Sequence, residues 1–238
     1  MKSISRPEKA LFVALVFYSF IPTFGGLFRI LELAGGPALG LPENPRAHSE
    51  PMIVGLHIMT SAVFCLAGAV QFLPSLRRHH IGAHLMNGRL VAAAGCLSAA
   101  TGLWMTLFFS FPEELQGTPL YGARIILSLA MIGLILRAVK AIYNRNHYQH
   151  SACMLRAYAI GLGASTQTFV GIGWMIFAGI EPQGLLRDGL MVFSWVINLL
   201  VAELLIRKSL RQTTGTPAKC DSSYFASFNV GRLDDFDR

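Results

Sequence analysis

Histidines, arginines, glutamines and a glutamate that interrupt apolar stretches are the residues of this chain with chemistry to offer. His57 and Arg124 would pair an acid–base group with an anion clamp, and Gln167 and Trp174 could join them. His84 and His150, each just ahead of an apolar block, could ligate one iron or metal ion together. Arg89, Arg156 and Glu203 could form an ion pair near them, because a buried carboxylate without a cation is costly. Ser61, Gln71 and Asn198 are further polar groups set in apolar surroundings.

Only transmembrane helices would place these groups so. The chain has 238 residues, 53% hydrophobic and 14% charged, against about 25% charged in an average soluble domain. Its apolar residues fall in blocks near the ~20 residues that a helix needs to cross roughly 30 Å of hydrocarbon. Six blocks qualify: 10–33, 52–74, 88–111, 120–143, 155–179 and 189–206. They are too long, and alternate too little, for a β-barrel. The fold class expected is all-α: a polytopic transmembrane helical bundle of six spans over 10–207. Residues 1–9 and a disordered tail, 208–238, would flank it.

The net charge of +7 does not point to nucleic acid. Lys2, Arg6 and Lys9 precede the first block, Arg77 and Arg78 follow the second, and Arg137, Lys140, Arg145 and Arg156 surround the junction of the fourth and fifth. Arg207, Lys208 and Arg211 follow the sixth, whereas the intervening connections hold chiefly Arg46 and Arg187. This positive-inside pattern predicts both termini in the cytoplasm, with anionic lipid as a partner of that face. The first block exceeds a signal-peptide core, and Arg29 and Glu32 sit where cleavage would fall, so an uncleaved span is expected. Cys65, Cys96, Cys153 and Cys220 show no disulfide or CxxC spacing and read as packing residues.

Periodicity aims the polar groups inward. Ser61, Gly68 and Gln71 follow His57 at offsets of 4, 11 and 14, close to one helix face. Arg156, Gly163, Gln167 and Trp174 make a similar stripe, with offsets of 7, 11 and 18. Depth then sorts an outer group (His57, Arg124, Gln167, Trp174) from an inner one (His84, Arg89, His150, Arg156, Glu203). Arg89 and Arg156 can equally serve as snorkelling anchors at the interface. Ala94, Ser98 and Gly102 in the third span, and Gly161, Gly163, Gly171 and Gly173 in the fifth, read as sites of close helix approach.

The stretch LHIMTSAVFCLAGAVQFLPSLRRHHIGAHLMNGRL, with His57, Gln71-Phe72, Arg77-Arg78, His84 and Gly88-Arg89, resembles the signature of a bacterial family of polytopic membrane proteins known as a domain of unknown function. GLWMTLF from Gly102, Arg124, His150 ahead of MLRAYAIGLGASTQ, and WVINLLVAE from Trp195 extend the resemblance over 29–207. It implies a multi-pass protein of the inner membrane and no reaction. Leu85 and Ser151 stand where the family has a basic residue after each histidine, which argues against His-Arg pairs as an anion site.

Several functions remain open. The polar clusters could serve a small-molecule or lipid site, transport, or support of a membrane-protein partner or homo-oligomer. His84 and His150 could instead hold haem b in a redox protein. His57 and Arg124 could act on a lipid or isoprenoid-like substrate without cofactor. His80 with His84, and His147 with His150, have spacings that suit a transition metal, but no Cys or carboxylate joins them.

Overall fold

A computed structural model describes residues 6–36 and 48–214. The connection at 37–47, with Pro37, Pro42, Pro45 and Arg46, lies outside them. So do 1–5 and the tail from 215, with Cys220 and its aspartates. The described residues form helices without a strand. These are α1 (Arg6–Leu33), α2 (Pro51–Gln71), α3 (Pro74–His79), α4 (Ile81–Phe108), α5 (Thr118–Tyr143), α6 (His147–Gly161), α7 (Gly163–Ala178) and α8 (Gly184–Thr214). The chain divides into units Met1–Glu203 and Leu204–Arg238, and every contact described below lies in the first.

Five spans are long and apolar enough to cross a membrane: α2, α4, α5, α6 with α7, and α8 as far as Lys208. A sixth follows if the two halves of α1, which bend by 40° between Phe20 and Pro22, count as one. Pro22 has no N–H to donate to the carbonyl four residues back, which explains the bend there.

Local chemistry sets the ends. Pro51, Pro74 and Pro119 stand in the first turns of α2, α3 and α5, where a missing N–H costs nothing. Gly179, with φ 73°, closes α7 in the left-handed region. Asn146 caps α6, its Oδ1 accepting from the Gln149 N–H at 2.9 Å. Two starts differ most from the hydropathy reading: α4 begins at Ile81 rather than 88, and α6 at His147 rather than 155. Backbone hydrogen bonds are local, so a helix continues through polar interfacial residues where an apolar count stops. His84 and His150, expected ahead of their helices, therefore sit in the first turns, and Arg77 and Arg78 lie on the short α3 rather than in a loop.

Inside lipid, burying apolar surface gives little net drive, so close fit must hold helices together. Phe64 of α2 shows how. It is 1% exposed and seated on Gly95 of α4 and Gly161 of α6, where an added Cβ would come within 2.5 Å of its ring. Tyr158 lies over Gly68 and donates its hydroxyl to the Cys65 carbonyl at 2.8 Å. Val91, Met131 and Ile135 complete this core. Ala94 and Ser98 are buried, and Gly102 faces His57, as the small-residue stripe predicts. Gly163 makes room for Trp195, whereas Gly171 and Gly173 meet nothing within 4 Å. Cys65, Cys96 and Cys153 are free thiols.

Candidate functional site

Helix α2 packs on α4, α4 on α5, α5 on α6, and α6 back on α2, which closes a ring of four. Helices α2 and α5 are thus diagonal partners across the ring, as are α4 and α6. Bundles build sites from side chains on facing helices. The polar residues follow those diagonals, one pair at each end.

At the end where α4 and α6 begin, His84 and His150 are half-buried and close enough for their charges to interact, with Arg77 also in range of His84. The Nδ1 of His150 lies 3.0 Å from the Ala138 carbonyl of α5, which makes Nδ1 the protonated nitrogen and leaves Nε2 as a lone-pair donor. The Nδ1 of His84 is buried and has no hydrogen-bond partner. The segment carrying His84 is tied to α2: Gln71 Nε2 donates to the His84 carbonyl at 3.0 Å, and Asn87 Nδ2 to the Ala67 carbonyl at 2.9 Å. Arg156 makes a two-pronged ion pair with Glu203 of α8, at 2.5 and 3.0 Å, and is the arginine that balances this carboxylate. Arg89 is exposed and stands apart from that pair. His79, His80 and His147 are also exposed, and among the described residues no group of three His, Cys, Asp or Glu side chains could hold a metal ion.

At the opposite end His57 is bound to α4. Its Nδ1 lies 3.0 Å from both the Ser98 carbonyl and Thr101 Oγ1, and Ser61 Oγ lies 2.7 Å from Ser98 Oγ. Arg124 is in electrostatic range of His57 across the α2–α5 diagonal. Its guanidinium donates to Gln116 and stacks over Phe111 at 5.3 Å. The other two members of the expected outer group point elsewhere. Gln167 Nε2 donates to the Met191 carbonyl of α8 at 3.3 Å. Trp174 packs beside Phe177 of its own helix, at 6.3 Å, with a buried Nε1 that has no partner.

Between the ends, Asn198 of α8 spans two elements. Its Nδ2 donates to the Ala159 carbonyl at 3.1 Å, and its Oδ1 accepts from Thr166 at 2.7 Å. Trp195 Nε1 donates to the neighbouring Ile160 carbonyl at 3.1 Å. Both carbonyls belong to the last turn of α6, where helical partners run out. These side chains let the span break at Leu162 without leaving backbone groups bare.

Asp188 is the residue that sequence reasoning missed. It is 1% exposed, and its carboxylate accepts from the N–H groups of Gly117 and Leu120 at 3.3 and 3.4 Å. Those N–H groups open α5, whose N-cap, Gly117, has no side chain to do this. Arg124 and Arg187 are in electrostatic range of the same carboxylate, and Arg187 also donates to the Leu115 carbonyl. A cap borrowed from a helix about seventy residues away has no local sequence signature. The available signal was the pairing of an uncapped glycine start with an acidic residue at the mouth of another span.

No curated protein and no solved structure matches the chain. One family does, over residues 54–206, which contain α2 from Val54, the rest of the four-helix ring, both histidine-bearing ends and α8 as far as Ile206. The match covers more than half of the chain. The chain is a multi-pass membrane protein belonging to the family described as "Predicted membrane protein (DUF2306)".

Proposed function

We propose that this protein binds haem b through His84 and His150 and works as a one-electron carrier in the membrane. One observation carries the reading: two imidazoles at one end of the ring lie in electrostatic range of each other, one with its Nδ1 tied to a backbone carbonyl and the other with a buried, unpartnered Nδ1. Carbonyl anchoring of one ring nitrogen is the usual way a protein aims the other at a metal. A buried imidazole nitrogen with no partner costs about 1–3 kcal/mol, which a ligand would offset. Arg77 would offer a counter-charge to a propionate. His84 and His150 would hold the haem group, whose iron would supply reversible one-electron transfer.

The other readings have less support. His57 commits its Nδ1 to Ser98 and Thr101 of α4, and one Arg124 nitrogen donates to Gln116, so this end is in part a helix–helix contact.

The reading includes a topology. Six spans would place Arg77, Arg78, Arg137, Lys140 and Arg145, together with both termini, on the cytoplasmic side of a bacterial inner membrane. A fluorescent protein fused after residue 238 should then glow, and alkaline phosphatase at the same place should be inactive. The reverse result would overturn the orientation.

The site is tested by the absorption spectrum of protein purified from haem-replete cells. A Soret band is expected, sharpened on reduction, and lost in both His84→Ala and His150→Ala. His79→Ala should keep it, since that imidazole is exposed. Wild-type protein without the band, even after haemin reconstitution, would refute the proposal.

A further inference from the structure

We infer that the junction of α5 and α6 is a binding site for a phosphate group, independent of the histidine pair. A cavity of about 380 Å³ opens there, between Arg137 on α5 and Arg156 on α6. Asn146, which caps α6, and Gln149 in its first turn add amide groups to the lining, and Ala152 and Cys153 give it an apolar wall. This pairs guanidinium donors with a surface that an acyl chain or a sugar could lie along.

The charge in the cavity is unbalanced. Glu203 neutralises Arg156. No carboxylate forms an ion pair with Arg137 among the described residues. Arg137 has only a neutral partner: with the Gln149 amide turned so that its oxygen faces the guanidinium, that oxygen accepts from Nε at 2.8 Å and Nη2 at 3.1 Å. A phosphate that displaces this neutral amide would take over the same two donors and gain the charge-assisted fork that it prefers.

The backbone keeps this arrangement rigid. Arg145 adopts φ 56°, the only positive φ of a non-glycine residue among those described. An arginine pays strain for that conformation. The turn is held by Arg145 N–H to the Ile142 carbonyl at 2.9 Å and Asn146 N–H to the Ala141 carbonyl at 2.8 Å. It brings the end of α5 and the first turn of α6 together, and Lys140 adds another exposed cation nearby. A phosphate bound here could come from an anionic phospholipid headgroup or from a soluble phosphate ester.

The experiment uses full-length protein in mild detergent. Native mass spectrometry would count bound phosphatidylglycerol against phosphatidylcholine, and calorimetry would titrate inorganic phosphate. Arg137→Gln should weaken phosphate-dependent binding by about tenfold, the loss of one charge-assisted contact. Arg89→Gln, an exposed arginine outside the cavity, should change it less than about twofold. Phosphatidylglycerol retention lost in Arg137→Gln assigns the site to a lipid. Inorganic phosphate binding lost in the same variant, without lipid retention, assigns it to a soluble ester. Binding that Arg137→Gln leaves unchanged, binding that falls equally in Arg89→Gln, or no binding in either arm overturns the site. The spectrum of the histidine site should be unaffected by Arg137→Gln, so failure here is distinguishable from failure of the haem reading.

Discussion

Replacing Asp188 by alanine should loosen the bundle at the start of α5. The carboxylate is 1% exposed and receives the Gly117 and Leu120 N–H groups at 3.3 and 3.4 Å. Those lengths exceed the usual 2.7–3.2 Å range, so each bond is taken at about 1 kcal/mol, below the 1.5–3 typical of charged acceptors. The negative charge also faces the positive end of the helix dipole, for a further ~0.5 kcal/mol. It compensates Arg124 and Arg187 as well, adding a contribution of about the same size. The sum is about 3 kcal/mol. At about 2–4 °C per kcal/mol for a chain of this size, Asp188→Ala should unfold about 6–12 °C below wild type. Asp188→Asn keeps the shape and one carbonyl acceptor but loses the charge, and should fall about 2–5 °C. Thermal scans in one detergent, on fractions that elute as single peaks, would measure both. An Asp188→Ala protein melting within about 1 °C of wild type would falsify the capping argument.

Two other outcomes follow from the packing. Gly95→Ala places a methyl within 2.5–2.8 Å of Phe64 and Ile135 and should cost about 1–3 kcal/mol, whereas Gly171→Ala, which meets nothing within 4 Å, should be nearly neutral; equal melting temperatures for the two would contradict the seating of Phe64. Asn198→Leu removes the donor to the Ala159 carbonyl and the acceptor of Thr166, and at the ~0.6 kcal/mol average of membrane hydrogen bonds should cost about 1–2 kcal/mol. Proteolysis should then cut more readily near Leu162, and an unchanged digest would count against the idea that Asn198 braces the break.

Much of the architecture can be read without coordinates. Six apolar blocks appear again as α1, α2, α4, α5, α6 with α7, and α8, because hydrocarbon forces every backbone group into internal hydrogen bonds and a helix is the local solution. That Glu203 would pair with an arginine was also foreseeable, since a carboxylate at that depth needs a cation; the structure chose Arg156 over Arg89. Periodicity correctly turned His57 and Ser61 toward a neighbouring helix. It could not say which neighbour, and both proved to bind α4 rather than a cavity.

The sequence by itself determined which segments are helices long and apolar enough to cross a membrane and which of their faces are polar, because both are properties of one helix at a time. Pairing was decided only by the tertiary structure. Gln167 and Trp174 share a helical stripe with Arg156, yet the break at Leu162 splits that span into α6 and α7 and sends them to different partners. Helix order likewise set His84 opposite His150 and brought Asp188 to the start of α5. A diagonal in a ring of four helices depends on how several close-packed surfaces fit at once, and no single stretch of residues encodes that fit.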